Sequence, residues 1–199
     1  MYKLLNIFLF ASLAFNSAYA EEKENTTLVV HEPLEMKFEK PTVDDFEPVS
    51  NIGHCKIIVA PVVDARPNKE TMGHKGSKPL FSDGVDAWSN TGMASLKDYG
   101  YSMVSANNLD DSTYIIEPHL FRLYSWPVKG FRIYGAIAMD VKVTAPNGKV
   151  MHKKYRGTGS TNNGWNGDGE YVQAMNAAFN ILIQRLADDI KPLCKNNSI

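Results

Sequence analysis

The chain has 199 residues, with 22 acidic and 21 basic side chains and a formal net charge of −1 at pH 7. This length suits one domain with a sizeable core. The near balance of charge excludes the strongly basic surface that is typical of nucleic-acid-binding domains. Charge is uneven along the chain, because residues 21–50 hold nine acidic and three basic side chains and residues 51–199 are mildly basic.

The first twenty residues have the three parts of an export signal. Lys3 precedes an apolar run over residues 4–15, and residues 18–20 are Ala-Tyr-Ala, a small-x-small sequence that signal peptidase accepts. The apolar run is shorter than the ~20 residues that a membrane-spanning helix needs. We therefore expect residues 1–20 to be removed before Glu21, and the protein to be periplasmic or secreted to the extracellular space. No cysteine lies at the cut, so no lipid attachment is expected there, and no later stretch is apolar enough to span a membrane.

Residues 21–50 are expected to form an acidic arm or linker. Pro33, Pro41 and Pro48 interrupt any long element, and the composition is dominated by polar and charged residues. The arm is either solvated or folded back on the mildly basic remainder. Residues 51–199 are expected to form a single domain.

The chain contains two cysteines, Cys55 and Cys194. Because an even pair in an oxidising compartment is usually bonded, we expect a disulfide between them. It would join the start of the first predicted strand to the segment after the last predicted helix, across a separation of 139 residues. The alternative is a reactive or metal-binding thiol beside His54.

The first half of the predicted domain contains a strand, a helix and a second strand. Residues 55–63 (CKIIVAPVV) are apolar on both faces, as in a buried central strand, with a bulge or a lost pairing expected at Pro61. A polar loop is expected through residue 79. A helix with one apolar face then follows a cap at Ser82 or Asp83 and ends at Gly100. Residues 101–105 are expected to be a short strand.

The second half contains three strands and a long helix. Strands are expected over residues 114–124, 131–144 and 150–157, joined by a loop over residues 125–130 and a PNGK hairpin turn over residues 146–149. A loop rich in Gly and Asn leads to the last helix, which Asp168 would cap and Pro192 would end. Its apolar residues recur with a helical period: Val172, Met175, Phe179, Leu182, Ile183, Leu186 and Ile190.

The predicted order of elements is β-α-β-β-β-β-α. The crossover helix implies a parallel pair at the start, and the hairpins make the rest antiparallel. Each helix has a single apolar stripe, so both are expected on the same face of the sheet. The fold class is therefore α+β: a two-layer sandwich with a mixed, mostly antiparallel sheet of about five strands.

The chain resembles the YajG-like envelope lipoproteins and, more loosely, the auxiliary lipoproteins of ABC transport systems. The N-terminal domains of TolB and CsgG are similar in topology. The resemblance rests on VAPVVDARP (residues 59–67), LKDYGY (residues 96–101), the paired strands across PNGK and the terminal amphipathic helix. It implies a non-enzymatic protein that binds other envelope components, and it supplies no catalytic residues. The lipidated cysteine of these families is missing, which favours a free periplasmic or secreted protein.

The sequence contains no motif for nucleophilic catalysis, for a zinc-dependent hydrolase, for a phosphate-binding loop or for a dinucleotide. No catalytic residue, metal site or cofactor is therefore predicted. Glu117 and His119 share a strand face and are a candidate general acid/base pair for a small hydrolase. The alternative, an outward polar stripe on a half-exposed sheet, is favoured by the alternation of the strand.

The loop at residues 157–169 (GTGSTNNGWNGDG) leads into a helix N-terminus, where backbone N–H groups can hold a phosphate or a carboxylate. Calcium is a second hypothesis, from Asn166, Asp168 and Glu170, but their spacing does not match an EF-hand. The favoured interpretation is a connector whose Asp168 caps the helix.

Six residues are candidates for contacts with a partner: Trp126, Phe131, Arg132, Lys154, Arg156 and Trp165. The two tryptophans lie in predicted loops, where rigid aromatic rings often anchor a partner or a sugar. The alternative, equally compatible with the sequence, is that they close an end of the sandwich. Lys154 and Arg156 alternate with His152 on one strand face, with Lys142 opposite. Such a row attracts anionic lipid or lipopolysaccharide, or else protects an edge strand from pairing.

The sequence thus predicts a soluble, exported, non-enzymatic binding or accessory protein of the bacterial cell envelope. Its expected partner is an envelope or extracellular protein, or an anionic glycolipid, and not a nucleic acid. The alternative is a secreted, virulence-associated protein that acts outside the producing cell. Oligomeric state and ligand are left open.

Overall fold

The architecture is organised around one long strand near the middle of the chain. The computed structural model describes residues 32–40, 55–108, 110–128, 132–162 and 167–195. These residues form nine strands, two α-helices and two short 3-10 turns. The strands are β1 (Leu34–Glu35), β2 (Lys56–Val59), β3 (Val63–Asp64), β4 (Thr71–Lys75), β5 (Lys78–Asp83), β6 (Ser102–Met103), β7 (Thr113–Val128), β8 (Arg132–Thr144) and β9 (Val150–Asn162). The helices are α1 (Val85–Ala94) and α2 (Asp168–Lys195).

The sheet is mixed, with β7 at its centre. Along one edge, β7 pairs antiparallel with β8, which pairs antiparallel with β9. Along the other edge it pairs in succession with the short parallel strands β2, β3 and β4. Strand β6 extends the sheet beside β2, and β5 and β1 extend it beside β4. The α+β class, the mixed sheet and the parallel pair across α1 are confirmed, because β2 and β6 are parallel.

The predicted count of about five strands is wrong, and Pro61 explains part of the difference. The expected strand at residues 55–63 is divided into β2 and β3 around this proline. Across the gap lies Pro118 of β7, between the residues that pair with β2 and those that pair with β3. Neither proline has an N–H to donate. The N–H of Val62 bonds the Asn90 side chain of α1 at 2.9 Å instead of a neighbouring strand.

The β4–β5 hairpin occupies the segment for which a loop was predicted. It turns at Gly76, whose φ is +63°. Each of its strands buries one apolar side chain, Met72 in β4 and Leu80 in β5. The segment therefore lacks the apolar alternation from which strands are predicted. The same segment is anchored by Arg66, which is buried and bonds both Asp64 and the backbone of the hairpin.

Helix α1 begins after Gly84, whose φ of +70° allows a sharp turn out of β5. The expected cap at Ser82 or Asp83 is displaced because β5 continues through Asp83. The helix passes into a 3-10 turn that ends at Gly100, as predicted for the stop. Trp88 of α1 packs against Phe179 of α2, with ring centroids 4.7 Å apart, so the two helices are in contact.

Helix α2 packs on β8 and β9 and buries every residue of the predicted apolar stripe. The packing is close because glycines face the helix. An ideal Cβ at Gly157 would lie 1.8 Å from the Ala178 carbonyl oxygen, and one at Gly159 would lie 2.3 Å from the Ala178 nitrogen. Gly135, which pairs with Gly159 across the strands, has the same close approach to Ala174. Only residues without a side chain fit at these three positions.

The C-terminal end of α2 differs from the prediction. The helix continues through Pro192 to Lys195 instead of ending after Ile190. A proline inside a helix removes one backbone hydrogen bond. The final turn is held from outside by the Tyr114 hydroxyl, which donates to the Leu193 carbonyl at 2.8 Å, and by the disulfide at Cys194.

The Cys55–Cys194 disulfide is confirmed, with Cα atoms 5.7 Å apart. It ties the start of β2 to the last turn of α2. His54, the neighbour invoked for a metal-binding thiol, lies outside the described residues.

Part of the predicted acidic arm lies against the rest of the fold. Strand β1 pairs with β5, and Leu34 and Met36 are buried. The Phe38 ring meets Phe179 edge-on with centroids 5.6 Å apart. The predicted export signal and the remainder of the arm lie outside the described residues, so the domain boundaries at residues 20 and 50 stay predictions. Neither helix of the described chain has the length and apolar character needed to cross a membrane.

Candidate binding surface on the sheet

The face of the sheet opposite α2, here called the outer face, carries the candidate site. Strand β8 shows the division: Ile133, Gly135 and Ile137 point toward α2 and are buried. Arg132 and Tyr134, which alternate with them, point to the outer face. Arg132 is exposed and Tyr134 is half-buried, so these two outer-face side chains reach the protein surface.

Four rings form a continuous row across the outer face: His74 of β4, Tyr124 and Trp126 of β7, and Tyr134 of β8. This set is called the aromatic row. Neighbouring centroids are 5.8 Å apart for His74 and Tyr124, 5.7 Å for Tyr124 and Trp126, and 5.8 Å for Trp126 and Tyr134. The planes of Trp126 and Tyr134 are 21° from parallel, which is offset stacking.

The row is fixed by the register of the strands. Trp126 lies directly opposite Tyr134, and Tyr124 is on the same face two residues earlier in β7. At the far end, the Tyr124 hydroxyl is 2.9 Å from Nδ1 of His74. This hydrogen bond links the β4–β5 hairpin to the central strand. Tyr124 remains 38 % exposed, so the row is accessible.

Trp126 was predicted to lie in a hairpin loop, and this placement is wrong. Strand β7 continues through Val128, and Trp126 lies inside it, half-buried. The strand extends because β8 provides a partner for each residue from Tyr124 to Val128. Pro127 is accommodated although it has no N–H. Trp126 is therefore held by two strands and by two neighbouring rings, and its orientation is fixed before any partner arrives.

Of the other predicted contact residues, Arg132 is at the start of β8, on the outer face and two residues from Tyr134. Phe131 and Trp165 lie outside the described residues. Lys154 and Arg156 are on the outer face of β9, opposite Asp140 and Ala138. The six-residue step along β8 from Tyr134 to Asp140 corresponds to about 20 Å. The structure therefore divides the predicted set into an aromatic end and a charged end.

The charged end of the outer face contains polar contacts between side chains of neighbouring strands. Lys142 Nζ is 2.7 Å from Glu117, and His152 Nε2 is 2.5 Å from Asp140. The Lys154 ammonium lies 5.6 Å from the Phe121 ring centroid. The predicted row of basic residues is thus partly compensated by acidic neighbours.

The same cross-strand contacts bear on the hypothesis that Glu117 and His119 form a general acid/base pair. The Glu117 carboxylate is directed at Lys142 on the next strand, as in a structural cross-strand pair. A general base instead has to be directed at a substrate proton.

The helix N-terminus at Asp168 is occupied by contacts within the chain. Asp168 accepts a hydrogen bond from Lys75 at 2.8 Å, and the Glu170 carboxylate accepts one from the Gly167 N–H at 2.9 Å. The second contact is the reciprocal half of a capping box. Asn166, the third proposed calcium ligand, lies outside the described residues. Within the described ranges there is no group of three side chains placed to hold a metal ion.

Sequence reasoning missed three members of the aromatic row. Tyr124 and Tyr134 were inside predicted strands, and the alternation that places Tyr124 and Trp126 on one face was an available signal. His74 was inside a predicted loop, and no local pattern indicated that it would join them. Its position depends on the long-range pairing of β4 with β7 at Gly73 and Ser125.

The geometry of the aromatic row suits binding of a partner. Its rings are rigid, half-exposed and already ordered, so little side-chain entropy would be lost when a partner binds. The offset stacking of Trp126 on Tyr134 covers part of each ring face. What remains exposed includes ring edges and tyrosine hydroxyls, which suit apolar side chains and hydrogen-bonding groups of a partner.

Comparisons with known proteins relate the chain to others by fold. No protein-family model matches the sequence, and no curated protein matches it. Protein XCC0632 from Xanthomonas campestris, of the family DUF330, is 11% identical with a TM-score of 0.50, and the alignment covers 84% of this chain and 99% of that one. The hypothetical protein CT253 from Chlamydia trachomatis is 10% identical with a TM-score of 0.48, over 72% and 99% of the two chains.

A minor lipoprotein from Acinetobacter baumannii is 13% identical with a TM-score of 0.35, over 72% of this chain and 94% of that one. Scores below 0.5 are too low for an argument about function. The YajG-like assignment is not confirmed by these comparisons. What they show is an α+β fold that is similar to that of XCC0632.

Proposed function

We propose that this chain is an exported, non-enzymatic binding or accessory protein of the bacterial cell envelope, and that the aromatic row is its contact surface. The observation that carries the proposal is the row itself. Rings that serve only the core would point toward α2, yet these four are ordered on the opposite face. Tyr and Trp are enriched where proteins bind partners, because each provides a large contact area at low entropic cost.

The geometry favours a protein partner over a glycolipid. A sugar ring stacks on a free aromatic face, whereas the faces of Trp126 and Tyr134 are partly covered by each other. A protein surface can place apolar side chains along the row and hydrogen bond acceptors at the Tyr hydroxyls. Arg132, beside Tyr134, adds a donor for a carboxylate or a backbone carbonyl.

Export is supported by the predicted signal at residues 1–20 and by the Cys55–Cys194 disulfide, since such bonds persist in oxidising compartments. Fractionation of the producing cell, with intact mass measurement, tests it. A species that starts at Glu21 and is two hydrogens lighter than the reduced chain is expected in the periplasm. Recovery of that species only from the culture supernatant would instead favour action outside the producing cell.

The contact surface is tested with the double variant Trp126→Ala/Tyr134→Ala. Immobilised mature protein is exposed to envelope extract and to purified lipopolysaccharide, and bound material is quantified. We expect at least one envelope protein to be retained about tenfold less by the variant than by the wild type. Phe121→Ala is the matched control, because Phe121 is half-buried and its ring is 5.6 Å from Nζ of Lys154 on the outer face, outside the row.

Two results would overturn the assignment of the aromatic row as the contact surface, and a third would change the class of partner. Equal retention of all proteins by the wild type and the double variant would remove the row from the interface. If Phe121→Ala reduced retention as much as the double variant does, the loss would not be specific to the aromatic row. Urea midpoints of all variants are measured in parallel to exclude unfolding. Loss of lipopolysaccharide binding alone would replace the protein partner with a glycolipid.

A further inference from the structure

The outer edge of β9 is a long strand edge, separate from the aromatic row. Strand β9 runs over 13 residues and pairs with β8 in continuous register, without a bulge. Among the described residues, β8 is its only partner strand. The other outermost strands of the sheet, β1 and β6, have two residues each. The described sheet therefore has one edge long enough to template another strand.

The direction of the backbone groups along this edge follows from one side chain of α2. Arg185 donates from Nη1 to the Arg156 carbonyl at 2.6 Å. Because Arg185 reaches this carbonyl from outside the sheet, the backbone groups of Arg156 point away from β8. Backbone direction alternates along a strand, so Lys154, Thr158 and Ser160 also direct their N–H and C=O groups to the edge.

Proteins usually blunt such an edge by shortness, a proline, a bulge or charge. The sequence of β9 contains no proline and its register has no bulge, so within β9 itself charge is the remaining device. Positive charge repels a second basic edge, including another copy of β9. The same charge attracts an acidic strand, so it selects the partner and does not close the edge to all strands.

The charge is concentrated where β9 meets α2. A groove of about 560 Å³ lies there, lined by Lys153, Lys154, Tyr155, Arg156, Arg185, Asp188 and Asp189. Four of these side chains are cationic and two are anionic. Asp189 is already engaged, since it pairs with Lys153 and accepts a hydrogen bond from the Tyr155 hydroxyl at 2.8 Å. Burial and this bond raise the pKa of Tyr155, so its hydroxyl remains a donor.

With Lys153 and Asp189 paired, three cations remain among the groove residues against one carboxylate, Asp188. Asp140, which is opposite Lys154 on β8, contacts His152. Lys154 and Arg156 are on the outer face, and Arg185 crosses the edge from α2. An incoming strand with acidic side chains would meet cations on both faces of the sheet. Its N–H would replace Arg185 at the Arg156 carbonyl and free the guanidinium to bind a carboxylate.

We propose that the edge of β9 binds an extended acidic segment of a partner protein as an added strand. Main-chain hydrogen bonds to the outward groups of Lys154, Thr158 and Ser160 would give affinity, and the basic side chains would select acidic sequences. The surface does not depend on the aromatic row. Failure of either proposal therefore leaves the other standing.

The test uses the full mature chain and a blocked peptide of five Glu-Val repeats. Binding is measured by fluorescence anisotropy, and hydrogen exchange is followed by NMR at individual amides. We expect saturable binding and slower exchange at the amides of Lys154, Thr158 and Ser160. A peptide with proline at two Val positions, which lacks two N–H donors, and a Lys-Val peptide should not bind.

Two variants and one control separate the contribution of charge from that of the main-chain hydrogen bonds. Arg156→Glu should weaken the affinity for the Glu-Val peptide about tenfold or more. Lys78→Glu, the same charge change on β5, should change this affinity less than about twofold. Thr158→Pro removes an outward N–H without removing a bond to β8, and it should abolish binding. The urea midpoint of each variant verifies its fold.

Several outcomes would overturn the proposal. Peptide binding without protection of the β9 amides would mean charge attraction alone. If Lys78→Glu weakened peptide binding as much as Arg156→Glu does, the peptide would be responding to the overall charge of the protein and not to the β9 edge. If the peptide does not bind but vesicles with one-quarter phosphatidylglycerol do, and Arg156→Glu releases them, the edge binds a membrane. Concentration-dependent self-association that Thr158→Pro abolishes would identify a second copy as the occupant.

Discussion

The close packing of α2 on the sheet makes Gly157→Ala a severe change. The new Cβ would be 1.8 Å from the Ala178 carbonyl oxygen and 2.8 Å from its carbonyl carbon. Both are backbone atoms, so no side-chain rotation relieves the clash. A normal contact requires the helix to move by roughly 1.5 Å, which opens gaps elsewhere along the interface. Overpacking usually costs about 1–3 kcal/mol, and with a rigid helix as the obstacle we expect about 3 kcal/mol or more.

Equilibrium urea unfolding of the oxidised protein measures this loss. At roughly 1–3 kcal/mol per molar urea, a 3 kcal/mol loss lowers the midpoint by about 1–3 M. Gly169→Ala is the matched control, because it makes the same chemical change in the first turn of α2 with no atom within 4 Å. It should stabilise by roughly 0.5–1 kcal/mol, since Ala favours a helix over Gly. If Gly157→Ala had the midpoint and slope of the wild type, the close approach of α2 to β9 would be refuted.

Three further predictions concern the disulfide and the buried ion pair. Replacing Cys55 and Cys194 with Ser opens a connection across 139 residues and should cost roughly 2–5 kcal/mol; the urea midpoint should fall and become insensitive to reductant. Arg66→Met breaks a pair whose Arg side chain is 3% exposed, so a loss of about 3–5 kcal/mol is expected by the same assay. Burial raises the pKa of Asp64, but the hydrogen bonds and charge of Arg66 lower it by more, so the pKa of Asp64 lies below its usual value. The resulting stabilisation is fully present above about pH 5 and is lost progressively as the pH falls toward the lowered folded-state pKa, so Asp64→Asn should flatten the decline of the midpoint between about pH 5 and 2.

Long periodic segments and local turn chemistry could be predicted from the sequence. The apolar stripe of α2 is buried as expected, because the 3.6-residue period reports which face meets the core. The turn before β9 forms where Asn147 and Gly148 predicted it, with Gly148 at φ +79°. The disulfide could be predicted from cysteine count and compartment alone. Each of these features depends on near neighbours or on a single pair.

The errors arise where distant segments decide the outcome. Pro192 is a helix breaker by propensity, yet the Tyr114 hydroxyl and the disulfide hold the turn that contains it. Trp126 follows a serine and precedes a proline, which favours a loop, yet β8 extends the strand past it. The β4–β5 hairpin has little apolar alternation, and its position depends on the pairing of β4 with β7. No local pattern contains the partner strand that decides these cases.

Strands β8 and β9 have different roles on their two faces: one face packs closely against α2, and the other bears side chains of the outer face. On the side of α2, Gly135 and Gly159 remove side chains so that the helix can approach the backbone. The next residues, Tyr134 and Ser160, point to the outer face and pair with each other in register. A ring placed on the helix side here would keep α2 away, and the main core is already filled on that side. Burial in that core thus does not account for the rings of the outer face. Their ordered stacking on an exposed face is the reason to assign them to binding, while the glycines beneath them serve stability.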